Sequence, residues 1–222
     1  MDFGNLSPGV IIALVVGVAM VPYVAVMVTA FTKLVIVFSL LRNALGLQQT
    51  PPNVVLNGLA IILSLYVMYP VGMQTSEIGQ EFIASKSDES GELDATSLLQ
   101  AAAAAKQPLQ DFLTSHTQES ERAFFLQTAR NLLPDDQKHT ISENDLAVII
   151  PAFTVSELSR AFQIGFLIFL PFLVIDLIVS NLLQALGMMM LSPTTISLPF
   201  KLLLFVLLDG WSKLIHGLVL TY

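Results

Sequence analysis

Four long apolar stretches, separated by polar segments, dominate the hydrophobic pattern of this chain. The first extends from Phe3 to Leu41 with Lys33 as its one charge, and the second from Val54 to about Met73. The third covers Ala161 to Leu191, and the fourth covers Ile196 to Tyr222. Each is at least as long as the roughly 20 apolar residues that a helix needs to cross a bilayer. The pattern predicts an all-α membrane protein with about four long apolar helices in two hairpins.

Prolines mark the turns and the bends of these predicted helices. Pro51 and Pro52 interrupt the polar stretch after the first segment, and Ser192-Pro193 ends the third. A helix interior does not accept a proline pair, so the first two segments are predicted to form a hairpin. Pro22 and Pro171 are predicted bends inside segments. The third segment would be about 46 Å long as a straight helix, which exceeds a bilayer core of roughly 30 Å.

A polar and acidic region separates the two hairpins. Between Glu77 and Asp145 the chain has 13 acidic and 5 basic residues, a net charge of −8 against −7 for the whole chain. We therefore predict an N-terminal membrane hairpin over 1–73, an acidic helical domain over 74–146, and a C-terminal membrane hairpin over 147–222. The few basic residues in short turns, Arg42 and Lys201, favour the cytoplasmic side. The N-terminus, the acidic domain and the C-terminus are then predicted to be extracytoplasmic.

Three helical features are predicted inside the acidic domain. The Leu- and Ala-rich stretch 94–105 should be helical. Residues 117–133 are predicted to form an amphipathic helix with one apolar stripe, formed by Phe125, Ala129, Leu132 and Leu133. Thr140 and Glu143 have the spacing of a capping box, which would start a further helix.

Composition narrows the possible functions. The chain is 54% hydrophobic and 12% charged with a mean hydropathy of +0.72, so most of its surface must face lipid or protein. It has no cysteine, which excludes disulfides and thiolate chemistry. It has no basic face for nucleic acid and no glycine-rich phosphate loop, and we expect neither a cofactor nor an enzymatic activity. The first apolar segment lacks a preceding basic region, so we expect it to be retained and not cleaved as a signal peptide.

Charged residues lie where lipid is expected. A charge at the middle of a bilayer costs at least ~2.5 kcal/mol on insertion scales. The charged residues in the apolar segments are Lys33, Asp176, Lys201, Asp209 and Lys213. Asp209 and Lys213 are four residues apart and could pair along one helix face. Singly, such residues are tolerated inside a monomeric bundle, but together they favour an obligate oligomer whose helices face protein.

The same residues are compatible with other chemistries. Asp176 and Asp209 could form an intramembrane aspartyl protease dyad, although the usual Gly-x-Gly-Asp context is missing. Asp176 and Lys201 could be coupling groups of a small-solute channel or transporter. The three histidines, His116, His139 and His216, have no metal-binding spacing, so no metal site is predicted. Met188, Met189 and Met190, taken alone, are most simply apolar packing at a helix end.

Five motifs resemble the export-gate family of type III secretion systems, called FliP in flagella and SctR in injectisomes. They cover all four apolar segments in order, and the turn containing Leu45-Gly-Leu-Gln-Gln49 is more similar to the injectisome branch. The motifs are Leu41–Asn53, Ser156–Phe166, Pro171–Ser180, Gly187–Pro193 and Pro199–Trp211.

The resemblance implies a function and a set of partners. Members of the family assemble as five copies with two smaller membrane proteins, resembling FliQ or SctS and FliR or SctT, into a helical cone in the bacterial inner membrane. The cone contacts lipid and other inner-membrane components of the secretion system, and unfolded secreted polypeptides pass through it. The resemblance places Met188, Met189 and Met190 on a loop that seals the pore as a gasket. It also implies a salt bridge between subunits from Glu157 to Lys201.

Overall fold

The computed structural model describes residues 8–90, 104, 106–188 and 190–222. Within these ranges the chain is helical and contains no strand, as predicted. The helices are α1 (Pro8–Met27), α2 (Phe31–Ala44), α3 (Asn53–Ser90), α4 (Gln107–Ser115), α5 (Glu119–Leu132), α6 (Leu146–Ala185), α7 (Pro193–Leu207) and α8 (Gly210–Val219).

Helix α2 lies at the centre of the molecule, packed against α3 and α6. Its apolar residues recur at helical spacing, so one face is buried in the main core. The fully buried members of this core are Ala30, Leu34, Val37, Phe38, Leu56, Ala60, Ala161 and Leu218. Gly165 permits the close approach of α6 to α2, because a Cβ atom there would lie 2.2 Å from Leu40 Cδ1. The α2–α3 hairpin was predicted from the proline pair, and it is confirmed.

The first apolar stretch is two helices and not one bent helix. The chain turns by 60° between α1 and α2, at residues 28–30, whereas Pro22 lies inside α1. Val28 at this bend is buried against Leu113, Ile149 and Phe153. Tertiary packing of this valine places the bend where no proline or glycine marks it in the sequence.

Helix α3 continues beyond the predicted end of the second apolar segment. It has 38 residues, about 57 Å, so the predicted boundary between residues 73 and 74 lies inside a continuous helix. The predicted helix over 94–105 lies outside the described residues apart from Ala104. The α4 helix packs against both α3 and α6, so the polar region is attached to both halves of the chain.

The amphipathic helix predicted over 117–133 is present as α5, and three residues of its predicted apolar stripe, Phe125, Ala129 and Leu133, are half-buried. Leu126 is the residue that packs inward against α6, whereas Leu132 is 81% exposed. The predicted capping box is wrong. Helix α6 starts at Leu146 after Asp145, whose carboxylate accepts a hydrogen bond from the Ser142 N–H at 2.6 Å.

Helix α6 is the longest element of the chain. Its 40 residues span about 60 Å and include Pro151 and Pro171 without ending the helix. After Ala185 the residues 186–192, here called the methionine loop, lead into α7, so the predicted break before Pro193 is confirmed. The α6–α7 hairpin extends beyond the α2–α3 turn, because Lys201 of α7 lies level with Ala44 at the end of α2.

The last apolar stretch is again two helices. Helices α7 and α8 meet at a 60° bend, where Asp209 has a φ of 50°. In the described part of the chain, two helices, α3 and α6, are long and apolar enough to cross a membrane, or up to four spans exist if each bent pair counts as one. In both long helices only 17% of the most apolar window is buried within the chain, so these faces require lipid or partner proteins.

Candidate functional site

A buried charge cluster joins α2, α6 and residue 222. We call it the Glu157 cluster, and its side chains are Lys33, His116, Glu157, Arg160 and Tyr222. Glu157 is fully buried, and its Oε2 lies 3.2 Å from Lys33 Nζ, which is 1% exposed. Arg160 Nη1 lies 3.3 Å from Glu157 Oε1 and donates a hydrogen bond to the His116 carbonyl at 2.9 Å. Two cations therefore compensate one carboxylate in the interior.

Tyr222 completes the surroundings of Lys33. Its hydroxyl donates a hydrogen bond to Glu157, and the Lys33 ammonium lies 3.4 Å from the centre of its ring, a cation–π contact. Burial, and secondarily the Glu157 carboxylate, raises the pKa of the Tyr222 phenol well above its ordinary value, so the hydroxyl remains a donor. Its ring stacks on Phe112 of α4. Residue 222 and the polar region thus lie on the same side of the molecule, as predicted, and the compartment remains a prediction.

A second cluster lies farther along α6, and we call it the Lys201 cluster. Lys201 Nζ lies 2.6 Å from Asp176 Oδ2 and donates to the Ala44 carbonyl at 3.1 Å. Ser197 donates a hydrogen bond to Asp176 Oδ1 at 2.5 Å. Lys201 is 4% exposed. The cluster therefore connects α6 and α7 with the end of α2, and it holds the base of the hairpin that carries the methionine loop.

Glu157 and Lys201 do not pair with each other within the chain. Each belongs to a different cluster, and each has a partner of opposite charge within the chain, Lys33 for Glu157 and Asp176 for Lys201. The salt bridge between subunits that joins them stays a prediction. If it forms, Glu157 and Lys201 must each contact the neighbouring subunit in addition to, or in place of, their partners within the chain.

The spacing of Asp209 and Lys213 would allow them to pair, but they do not pair within the single chain. Both side chains are exposed, and no ion pair joins them in the described residues. Asp209 is the N-cap of α8, and its carbonyl accepts the Lys213 N–H at 3.1 Å. Its left-handed backbone, however, does not give its side chain the direction of a helical residue. Asp176 and Asp209 also have different surroundings: Asp176 is bound to Lys201 and Ser197, and nothing brings Asp209 into that cluster.

The methionine loop begins with a helix-ending glycine. Gly187 has a φ of 71°, and the Met188 N–H donates to the Leu183 carbonyl while the Gly187 N–H donates to Gln184. These two bonds form a Schellman motif, which ends α6. Met188 is half exposed and Met190 fully exposed, whereas Met189 lies outside the described residues. Neither Met188 nor Met190 is therefore buried within the single chain.

Sequence reasoning missed several members of the clusters. Arg160 lies three residues after Glu157, a spacing that could have indicated their contact. Tyr222, His116 and Ser197 come together with their partners only through the packing of α4, α7 and α8, so no local pattern indicates them. In the described residues, no group of three His, Asp or Glu side chains could hold a metal ion.

The chain is similar to known secretion proteins over its whole length. The model of the FliP family matches residues 14–218. Yop proteins translocation protein R of Yersinia pestis is 52% identical over 203 residues, 91% of each chain. Hypersensitivity response secretion protein HrcR of Ralstonia nicotianae is 47% identical over 218 residues, 98% of this chain and 99% of the relative. Flagellar biosynthetic protein FliP of Bacillus subtilis is 40% identical over 222 residues, 100% of this chain and 95% of the relative.

Proposed function

This chain belongs to the FliP family, and from that premise we propose that it is a pore-forming subunit of a type III secretion export gate. Its relatives are named for translocation and secretion, which supports a role in the export apparatus. Its identity to translocation protein R and HrcR, 52% and 47%, exceeds its 40% identity to the flagellar relative, which favours the injectisome branch.

The assembled state that we propose is a ring of copies in the bacterial inner membrane. The apolar faces of α3 and α6 are mostly open in the single chain, so they require contacts with lipid or with neighbouring proteins. Five copies, together with two smaller membrane proteins of the apparatus, would cover these faces, with the polar region on the periplasmic side. Transport energy must come from other components.

The exposure of Met188 and Met190 at the tip of the α6–α7 hairpin carries this proposal. Exposed apolar side chains at a loop tip are unfavourable in water, so they need contacts with lipid, with each other or with a passing chain. Methionine is unbranched and flexible, so several copies can close against one another and then part around polypeptides of different sequence. Branched side chains, which are stiff at χ1, would conform less well.

Replacing Met188, Met189 and Met190 together with alanine should leave assembly intact and make the resting membrane leak small ions. Alanine is too short to close the gap, so we expect ion flux in proteoliposomes several-fold above wild type. The matched control replaces Met20, Met27 and Met73, which are about half exposed, as Met188 is, but lie on α1 and α3. Equal flux in both triple variants would contradict a sealing role for the loop.

A further inference from the structure

The bend between α7 and α8 is shaped by a strained residue. Asp209 is the only non-glycine residue with a positive φ in the described part of the chain, at φ 50° and ψ 45°. Such a conformation costs of order 1 kcal/mol for a residue with a Cβ atom, and it concentrates at functional positions. The next residue, Gly210, allows the Phe205 ring to lie against the backbone, because a Cβ atom there would be 2.2 Å from the ring. The bend is therefore closely packed around one exposed carboxylate.

This carboxylate has no cation of its own chain in the described residues. No ion pair involves Asp209, and its side chain makes no capping hydrogen bond to α8. Lys213 is exposed one turn later and does not turn back to it. Glycine would adopt this conformation without strain, whereas aspartate tolerates it and also places a carboxylate at the N-terminal end of α8.

Asp209 borders a cavity of about 430 Å³ between the α2–α3 turn and the α7–α8 bend. The other lining residues are mainly apolar; those used here are Pro51, Val206 and Trp211. The Trp211 indole is held in place by edge-to-face contacts with Phe38 and Phe205, at centroid distances of 6.3 and 5.6 Å. An indole beside a carboxylate in an apolar cleft suits the long alkyl chain and charged head of a lysine or arginine.

We infer that this cavity receives a basic side chain from a different protein of the export apparatus, with Asp209 as its counter-ion. The inference rests on the proposed function in requiring a multi-protein export apparatus, but it does not require this chain to line a pore. The C-terminal end of α7 and the N-terminal end of α8 meet here, so their opposite dipoles offset each other and the carboxylate decides the sign of the ligand.

A second copy of this chain is a poor source of the cation. Among the described side chains, most exposed or half-exposed lysines and arginines other than Lys213 lie in the polar region: Lys106, Arg122, Arg130 and Lys138. Arg160 is one-third exposed but is bound to Glu157 and to the His116 carbonyl. Arg42 lies near the cavity, but its guanidinium is bound to Asn53 and to the Pro51 carbonyl. We therefore assign the basic side chain in the cavity to another protein. The experiment below also detects the alternative, in which Lys213 of a second copy occupies the cavity.

The test is co-purification of the tagged full-length chain, co-expressed with all membrane proteins of its export apparatus and extracted in mild detergent. Asp209→Asn keeps a residue that tolerates the left-handed conformation but removes the charge, and Asp209→Gly also removes the strain. Both variants should retain about tenfold less of one partner protein, while the melting temperature of the purified Asp209→Gly chain equals or exceeds that of wild type. Lys213→Gln, the matched control, should retain that partner at the wild-type level.

Charge exchange then identifies the contact. Suppressors of Asp209→Arg should replace a lysine or arginine of that partner with an acidic residue. The inference is overturned if both neutral variants keep every partner within twofold of wild type, if Asp209→Gly lowers the melting temperature, or if suppressors arise only in this chain. A loss with Lys213→Gln as large as with Asp209→Asn would instead assign the cavity to a second copy. If the proposed pore function is wrong, the two triple methionine variants should show equal ion flux, and that measurement is independent of the co-purification results.

Discussion

Glu157→Gln is expected to destabilise the folded chain more than any other single charge-neutralising substitution. It removes the carboxylate but leaves the Lys33 ammonium, which is 1% exposed, with only the Tyr222 ring beside it. Breaking a buried ion pair by removing one partner costs about 3–5 kcal/mol, since the remaining charge is uncompensated. Thermal unfolding of the detergent-purified chain should show a large fall in melting temperature.

Two further variants test whether the loss of stability comes from the Lys33–Glu157 pair. Lys33→Met combined with Glu157→Gln removes both fully buried charges and should recover much of the lost stability, because replacing a complete buried pair is often neutral. Arg160 also loses its carboxylate, but it is one-third exposed and keeps its bond to the His116 carbonyl. Glu143→Gln, whose carboxylate is exposed and 4.0 Å from Arg122, should leave the melting temperature near that of wild type. A double variant no more stable than Glu157→Gln would show that Lys33 and Glu157 are not coupled.

Lys201→Met is expected to loosen the hairpin that carries the methionine loop. Methionine fills the volume of the lysine alkyl chain, but Asp176 keeps only the Ser197 hydroxyl and the Ala44 carbonyl loses its donor. We expect a cost of about 2 kcal/mol, less than at Glu157, because Asp176 is 26% exposed and can be partly hydrated. Hydrogen exchange of the α7 amides should become faster by at least tenfold.

The control for this variant is the same substitution at an exposed position in the next helix. Lys213→Met should leave exchange in α7 unchanged, since Lys213 forms no ion pair in the described residues. Equal protection of α7 in the Lys201→Met and wild-type chains would mean that the Lys201 cluster does not hold the hairpin. The exchange pattern also shows whether the loosening reaches the Glu157 cluster, which should keep its protection.

Local chemistry explains which parts of the fold could be predicted. The turn around Pro51 and the break before Pro193 follow from prolines, whose effect on a helix is local, and both are observed. Pro151 and Pro171, by contrast, lie inside α6 without ending it. The bend at Val28 depends on α4 and α6, which are more than 80 residues away in sequence, so no window around Val28 could indicate it.

The candidate site was also predictable only in part. Lys33, Asp176 and Lys201 are recognisable from the sequence because a charge in an apolar segment is costly and needs a partner. Their partners were not predictable, since Lys33 meets a carboxylate 124 residues later and Lys201 meets the carbonyl of Ala44. The pairing of Asp209 with Lys213 failed for a related reason. Spacing along a helix assumes that the helix is continuous, and the left-handed backbone at Asp209 ends that continuity.

The most direct test of the proposed export gate is single-particle imaging of the native complex, extracted in mild detergent. We predict several copies of this chain, five by resemblance to the family, around one axis, with residues 186–192 of every copy facing that axis. The α6–α7 hairpins should then line the narrowest part of the conduit. A solitary chain that remains active in a bilayer, or a ring whose methionine loops face lipid, would contradict the account.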